Sequence, residues 1–199
     1  MCDLAAALRE LYDVFARVPR PDVIDGCPHC VAPDEGRRLL DEPIRSLTPE
    51  ALARYAAKAM STWGGVDDFR YLLPRLLELA ADDAFAYPDP EIVFGKLEYG
   101  RWLEWPAAER VAIERFLCAW WRDTLASYPT LPSADTVLCS IAATGLDLEP
   151  FLAEWAASDG PAAQAQLLEL AAGREWRSSY WSGAAAGRLD AWLERLGLG

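Results

Sequence analysis

The chain has one histidine in 199 residues, His29, and that scarcity removes several classes of chemistry at once. A Ser-His-Asp or Cys-His arrangement has only this imidazole to use. No His-Glu-x-x-His pair, Gly-x-Ser-x-Gly elbow, glycine-rich phosphate loop or dinucleotide fingerprint occurs. Basic residues are also in short supply, with 19 Lys and Arg against 31 Asp and Glu and a net charge of −12. Arg37-Arg38 is the sole adjacent basic pair. Nucleic-acid binding draws its affinity from cations that neutralise phosphates, so nucleic acid and anionic membrane surfaces are both disfavoured. No apolar run approaches the ~20 residues of a membrane span, and the N-terminus carries no basic, then apolar, leader pattern. The five cysteines are odd in number and lack the spacing of a disulfide framework, which points to a reducing cytoplasm.

What is present is a well-provisioned interior. Hydrophobic residues make up 52% of the chain, with nine Trp, seven Tyr and six Phe. A chain of this length buries roughly 70% of its unfolded surface, enough for one domain over residues 1–199 without staples. Apolar residues recur at helical spacing almost throughout, and no segment alternates as a strand. Leu4, Leu8, Leu11, Phe15 and Val18 form one stripe behind a capping Asp3, and Pro19 and Pro21 end it. The stretch from Pro19 to Asp34 contains four Pro, one Gly and two Cys and reads as a loop, followed by a short helix near Glu35 to Leu40.

From Thr48 onward the punctuation repeats. Thr48-Pro49-Glu50 opens a helix expected to run to Trp63 and stop at Gly64-Gly65. Asp67 or Asp68 caps the next, Phe69 to Ala81, with a kink expected at Pro74. Further helices are expected from Pro90 to Tyr99, Pro106 to Ser127, Ser133 to Ala143, Glu149 to Ala157, Pro161 to Ala172 and Ser182 to Leu196. The fold class is therefore all-α, with nine to ten helices in successive antiparallel hairpins. Residues 1–47 give an N-terminal helix and a cysteine loop, and residues 48–199 give four hairpins. Hairpin starts about 41, 43 and 28 residues apart fit a HEAT-like stacked array or an irregular helical bundle.

Gly26-Cys27-Pro28-His29-Cys30, Leu47-Thr48-Pro49-Glu50, Ala57-Lys58-Ala59-Met60-Ser61-Thr62-Trp63-Gly64, Asp67-Asp68-Phe69-Arg70 and Leu73-Pro74-Arg75-Leu76-Leu77-Glu78-Leu79 together resemble an uncharacterised bacterial family. Gly95-Lys96-Leu97 and Trp120-Trp121 extend the likeness over most of the chain. The resemblance implies a helical protein and carries no catalytic residue.

The sharpest local signal is Cys27-Pro28-His29-Cys30, which resembles the active-site tetrad of periplasmic thiol oxidases with a thioredoxin fold. There the first Cys sits at a helix N-terminus after a buried strand, and its thiolate is stabilised. Here the tetrad follows a proline-rich loop in an α protein. A second reading is metal, zinc above all, held by Cys27, Cys30 and His29, with Cys2, Cys118, Cys139, Asp25 and Asp34 as further ligand candidates. A third is a structural turn with two thiols. Cys118 and Cys139 lie among Trp and Leu and read as small core residues. Asp67-Asp68…Arg70 reads as a helix stop and cap rather than paired acid and base, since neighbours on a helix diverge by about 100°. Trp120 and Trp121, adjacent on one helix, cannot share a facing direction, so one of them is expected at a neighbouring helix or a partner. The leading functional expectation is a non-enzymatic protein-interaction role, inhibitor- or immunity-like, with an acidic surface selecting a basic protein partner. The alternative is a metal-binding or thiol-redox-responsive protein using Cys27 and Cys30.

Overall fold

The computed structural model describes residues 3–32, 34–173, 175 and 177–198. Among these residues ten α-helices run in the order α1 (Leu4–Phe15), α2 (Glu35–Arg38), α3 (Pro49–Lys58), α4 (Val66–Ala81), α5 (Pro90–Tyr99), α6 (Ala107–Ala126), α7 (Ala134–Ala143), α8 (Glu149–Ala156), α9 (Pro161–Ala172) and α10 (Gly183–Arg195). Short 3-10 turns occupy Ile44–Ser46 and Trp102–Glu104. Among the described residues there is no strand, only isolated bridges from Trp63 to Gly26 and to Ala59. No helix among them is long and apolar enough to cross a membrane.

Three helix starts, those of α1, α3 and α7, carry N-cap side chains that satisfy free N–H groups of the first turn. The Asp3 carboxylate accepts from the Ala5 N–H at 3.1 Å, and the Thr48 hydroxyl accepts from Ala51 at 3.3 Å. The Ser133 hydroxyl accepts from Thr136 at 3.3 Å. Proline at the first position of α3, α5 and α9 supplies a preset φ where no hydrogen bond is lost. Helix α4 continues through Pro74. Helix α1 stops at Phe15, and its last apolar residue, Val18, is buried from the turn that follows.

One contiguous cluster of buried side chains extends from Leu11 to Leu193. The most extensive helix pairings are α1 with α6 and α5 with α7; the second joins consecutive hairpins, whereas α1 on α6 and α6 on α9 each skip a hairpin. A stacked array restricts each unit to its sequence neighbours. Of the two arrangements the sequence allows, this packing is that of an irregular bundle.

Helix α6 is its axis, touching α1, α7, α8 and α9. That explains how adjacent tryptophans are both buried: of the two expected surroundings, a neighbouring helix or a partner, each meets a neighbouring helix. Trp120 stacks on Phe94 at 4.6 Å, while Trp121 meets Trp155 edge-on at 5.2 Å. Buried indoles need acceptors for their N–H groups. Trp121 donates to Phe151 O at 3.1 Å, Trp102 to Thr144 O at 2.8 Å and Trp155 to Ala163 O at 3.0 Å. Trp176 lies outside the described residues.

Candidate functional site

Helix α3 ends at Lys58, five residues before the expected stop, and this early end builds the seat for the cysteine loop. Residues 59–64 fold back as a tight turn in which Met60 takes φ +61° and Gly64 φ +69°. The Lys58 carbonyl accepts from the N–H groups of Ser61, Thr62 and Trp63. The outer edge of the turn then pairs with the loop ahead of it. Cys27 N–H donates to Thr62 O at 2.8 Å, and Gly64 N–H donates to Asp25 O at 2.7 Å. The Trp63 indole donates to Ile24 O at 3.3 Å, and its ring packs edge-on against Tyr55 at 5.5 Å.

The loop is closed from the other side as well. A Cβ on Gly26 would stand 2.7 Å from Val31, and one on Gly36 would stand 2.0 Å from the Ile24 carbonyl oxygen. These two glycines therefore mark where backbone and side chains come too close for any larger residue. The Cys27 carbonyl accepts from both Cys30 N–H at 2.8 Å and Val31 N–H at 2.9 Å, closing a turn around Pro28-His29. The Cys30 carbonyl is held by Arg54 and by the Lys58 ammonium, the latter at 3.3 Å. Arg54 is itself paired with Glu35, whose carboxylate also accepts from Ala32 N–H at 2.6 Å.

This framework acts on one sulfur in particular. The Cys27 thiol is pulled below its ordinary pKa, first by a hydrogen bond from the His29 backbone N–H. Hydrogen bonds from the Cys30 side chain and backbone and the Lys58 charge add to that, and burial opposes it. Cys27 and Cys30 are both half-buried, without a disulfide between them. What favours ionisation at Cys27 is a tight turn rather than a helix dipole, because the nearest helix start, α2 at Glu35, lies eight residues further on.

The metal reading fares differently. Among the described residues no three of His, Cys, Asp or Glu come together closely enough to hold an ion. His29, expected as a third ligand, is exposed on the turn and does not complete a set with the two thiols. Asp25, Asp34, Cys118 and Cys139 do not complete one either, and Cys2 lies outside the described residues. A structural zinc normally takes four ligands, so the residues described do not fit that group by themselves. Cys139 is buried in α7, where burial pushes its thiol up to about 12, the behaviour of a core residue.

The acidic pair at the start of α4 is structural. Asp68 accepts from the Gly65 N–H at 2.7 Å and caps the helix. Asp67 instead pairs with Arg70 at 2.6 Å, and Arg70 grips Glu109 on α6 through Nε at 2.9 Å and Nη2 at 2.6 Å.

A second polar centre has no local motif. Glu91 at the start of α5 is buried and accepts from the Ser178 hydroxyl at 2.6 Å. Asp135 on α7 accepts from the Ser178 N–H at 2.5 Å and from the Trp181 indole at 2.7 Å. Tyr180 donates to Asp89 at 2.7 Å, which, ahead of burial, raises its phenol to about 12. Together these bonds tie the segment before α10 to α5 and α7, joining residues 43 to 91 positions apart.

Comparison with known proteins adds no relative: no family model, curated protein or solved structure matches the chain.

Proposed function

We propose that the protein acts through reversible thiol–disulfide chemistry at Cys27 and Cys30. The observation that carries this reading is the tight turn that the Cys27 carbonyl closes with the N–H groups of Cys30 and Val31, which holds two half-buried free thiols on one turn beside the Lys58 ammonium. A thiolate held this way is the attacking species in exchange. Cys27 attacks one sulfur of an incoming disulfide and expels the other as a thiol. The Cys30 sulfur then attacks Cys27, releases the second thiol and closes the Cys27–Cys30 disulfide. Two protons and two electrons pass from the loop to the incoming disulfide. Because the loop is pinned to the turn at 59–64 and to α3, a change in its covalent state acts directly on that packing.

Equilibrating the purified protein across reduced-to-oxidised glutathione ratios tests the reading. Peptide mapping after alkylation should give one two-electron transition between Cys27 and Cys30. In Cys30→Ser, glutathione should accumulate on Cys27 ahead of the other thiols. Modification spread evenly over the cysteines, with no Cys27–Cys30 bond, contradicts it.

A second reading, contact with a basic protein partner, is supported by the net charge of −12 and by Leu131, which stands 79% exposed between α6 and α7. Charge complementarity of this kind speeds association and weakens with salt. Affinity capture at low and high salt, repeated with Leu131→Ser, should lose the partner under either change. Capture that is indifferent to both would remove this reading.

A further inference from the structure

We propose that the cleft between α7, α9 and the segment ahead of α10 binds a ligand that carries a carboxylate beside an N–H group, as in an apolar amino acid or the last residue of a polypeptide. The cleft has a volume of about 170 Å³ and includes Gln166, Glu169, Arg177 and Asp135 in its lining. That is several times the ~30 Å³ share of a water molecule. Ser133, Gln166 and Glu169 are shared with a wider groove of about 580 Å³ under Tyr128 to Leu131.

Two side chains in the lining have polar atoms without partners. Gln166 is 4% exposed and its Nε2 donates to Thr124 O at 2.7 Å and Ser127 O at 2.9 Å. Both partners are carbonyls, so the amide has one orientation and its oxygen must take the other side. That oxygen is buried and accepts no hydrogen bond. Arg177 is tied through Nη1 to Asp190 at 2.7 Å. Its Nε and Nη2 are buried and unpaired. These two nitrogens form one edge of the guanidinium, the fork that matches both oxygens of a carboxylate. Buried polar groups without partners are uncommon enough to require an explanation, and a ligand with a carboxylate and an N–H supplies both partners at once.

The surrounding charges narrow the class further. Asp135 lines the cleft, but its oxygens are already engaged by Ser178 and the Trp181 indole. Glu169, exposed where cleft and groove meet, has no ion-pair partner among the described residues. A phosphate or dicarboxylate meets Asp135 and Glu169 as like charges, and a simple cation meets Arg177. A group with one carboxylate and a neighbouring N–H or ammonium fits Arg177, Gln166 and Glu169 together, with Ala134 and Leu170 offering an apolar wall to its side chain. The unpaired atoms do not contact solvent, so the ligand parts the side chains over them as it enters.

Calorimetric titration of the 199-residue chain with L-leucine, N-acetyl-L-leucine and L-leucinamide tests this site. One of the two carboxylates should bind at least roughly ten-fold more tightly than the amide, the scale of a lost charge-assisted hydrogen bond. L-Leucine as the tighter probe identifies a free amino acid, and N-acetyl-L-leucine identifies the carboxyl end of a polypeptide. Arg177→Lys should weaken the better probe by about ten-fold or more, with the circular dichroism spectrum retained. The exposed Glu169→Gln should weaken L-leucine and leave N-acetyl-L-leucine unchanged, which separates binding from stability. No heat from either carboxylate, leucinamide binding as well as they do, or full affinity in Arg177→Lys overturns the proposal.

Discussion

The indole N–H of Trp63 donates to the carbonyl of Ile24, 39 residues earlier, at 3.3 Å. The residues on either side of Trp63 pair with the same loop through their backbones, Thr62 accepting from Cys27 and Gly64 donating to Asp25. The thiol pair is thus displayed by a turn that exists because α3 stops short.

Replacing Trp63 with Phe keeps an aromatic ring near Tyr55 and deletes the donor. Leaving the Ile24 carbonyl without its partner should cost about 1–2 kcal/mol in denaturant unfolding. The Cys27 thiol should also become harder to ionise as the loop loosens, seen as a higher pH for half-maximal alkylation. Unchanged alkylation would mean the loop holds its shape without this bond.

Gly36→Ala tests the close approach of α2 to the loop. An exposed helix would gain about 1 kcal/mol from this change. Here the new methyl group would stand 2.0 Å from the Ile24 oxygen, so the backbone must yield. We expect a net loss of stability by chemical denaturation. A neutral or stabilising result contradicts the contact.

The buried carboxyl of Glu91 gives a signed pH dependence. Burial raises its pKa in the folded protein, partly offset by the Ser178 hydroxyl, with nearby Asp89 and Asp135 adding to the rise. A folded-state pKa above the unfolded one means that the folded protein holds the proton more tightly. Glu91 therefore favours folding below the ordinary carboxyl range, and that contribution is lost as pH rises through its folded pKa. Glu91→Gln, which stays neutral, should flatten this part of a Tm-against-pH curve and gain on the parent as pH rises. Parallel curves for the two proteins would exclude the effect.

The ion pair between Arg70 and Glu109 joins α4 to α6. Glu109 is 9% exposed at its side chain and Arg70 20%. Arg70→Met leaves a nearly buried carboxylate without its partner, and breaking a buried pair from one side costs about 3 kcal/mol. Arg70→Met combined with Glu109→Leu should recover much of the loss. A single substitution costing no more than a surface change, by urea unfolding, would contradict the pairing.

The helices were legible where local chemistry decides them. The capping hydroxyls of Thr48 and Ser133 open α3 and α7, and Pro49 and Pro90 stand at the first positions of α3 and α5. The end of α3 was not legible, because Ala59 and Met60 continue the apolar spacing while the pairing of residues 62–64 with residues 25–27 pulls the backbone out of the helix. Nor was the packing of α1 on α6, which rests on side chains some hundred residues apart, as in the Arg115–Glu10 pair. The thiol pair was visible as a motif, whereas the amides around Cys27 come from backbone geometry that no residue pattern specifies. Gln166 and Arg177 carry no motif at all, and only their unpaired atoms draw attention to the cleft.

The most direct measurement is the rate of iodoacetamide alkylation at Cys27 against pH, followed by peptide mass spectrometry in the parent and in Lys58→Ala. An apparent pKa below the ~8.5 of a free thiol, moving up when Lys58 is removed, is the predicted result. An apparent pKa at or above that value in the parent would mean that the turn leaves Cys27 an ordinary thiol.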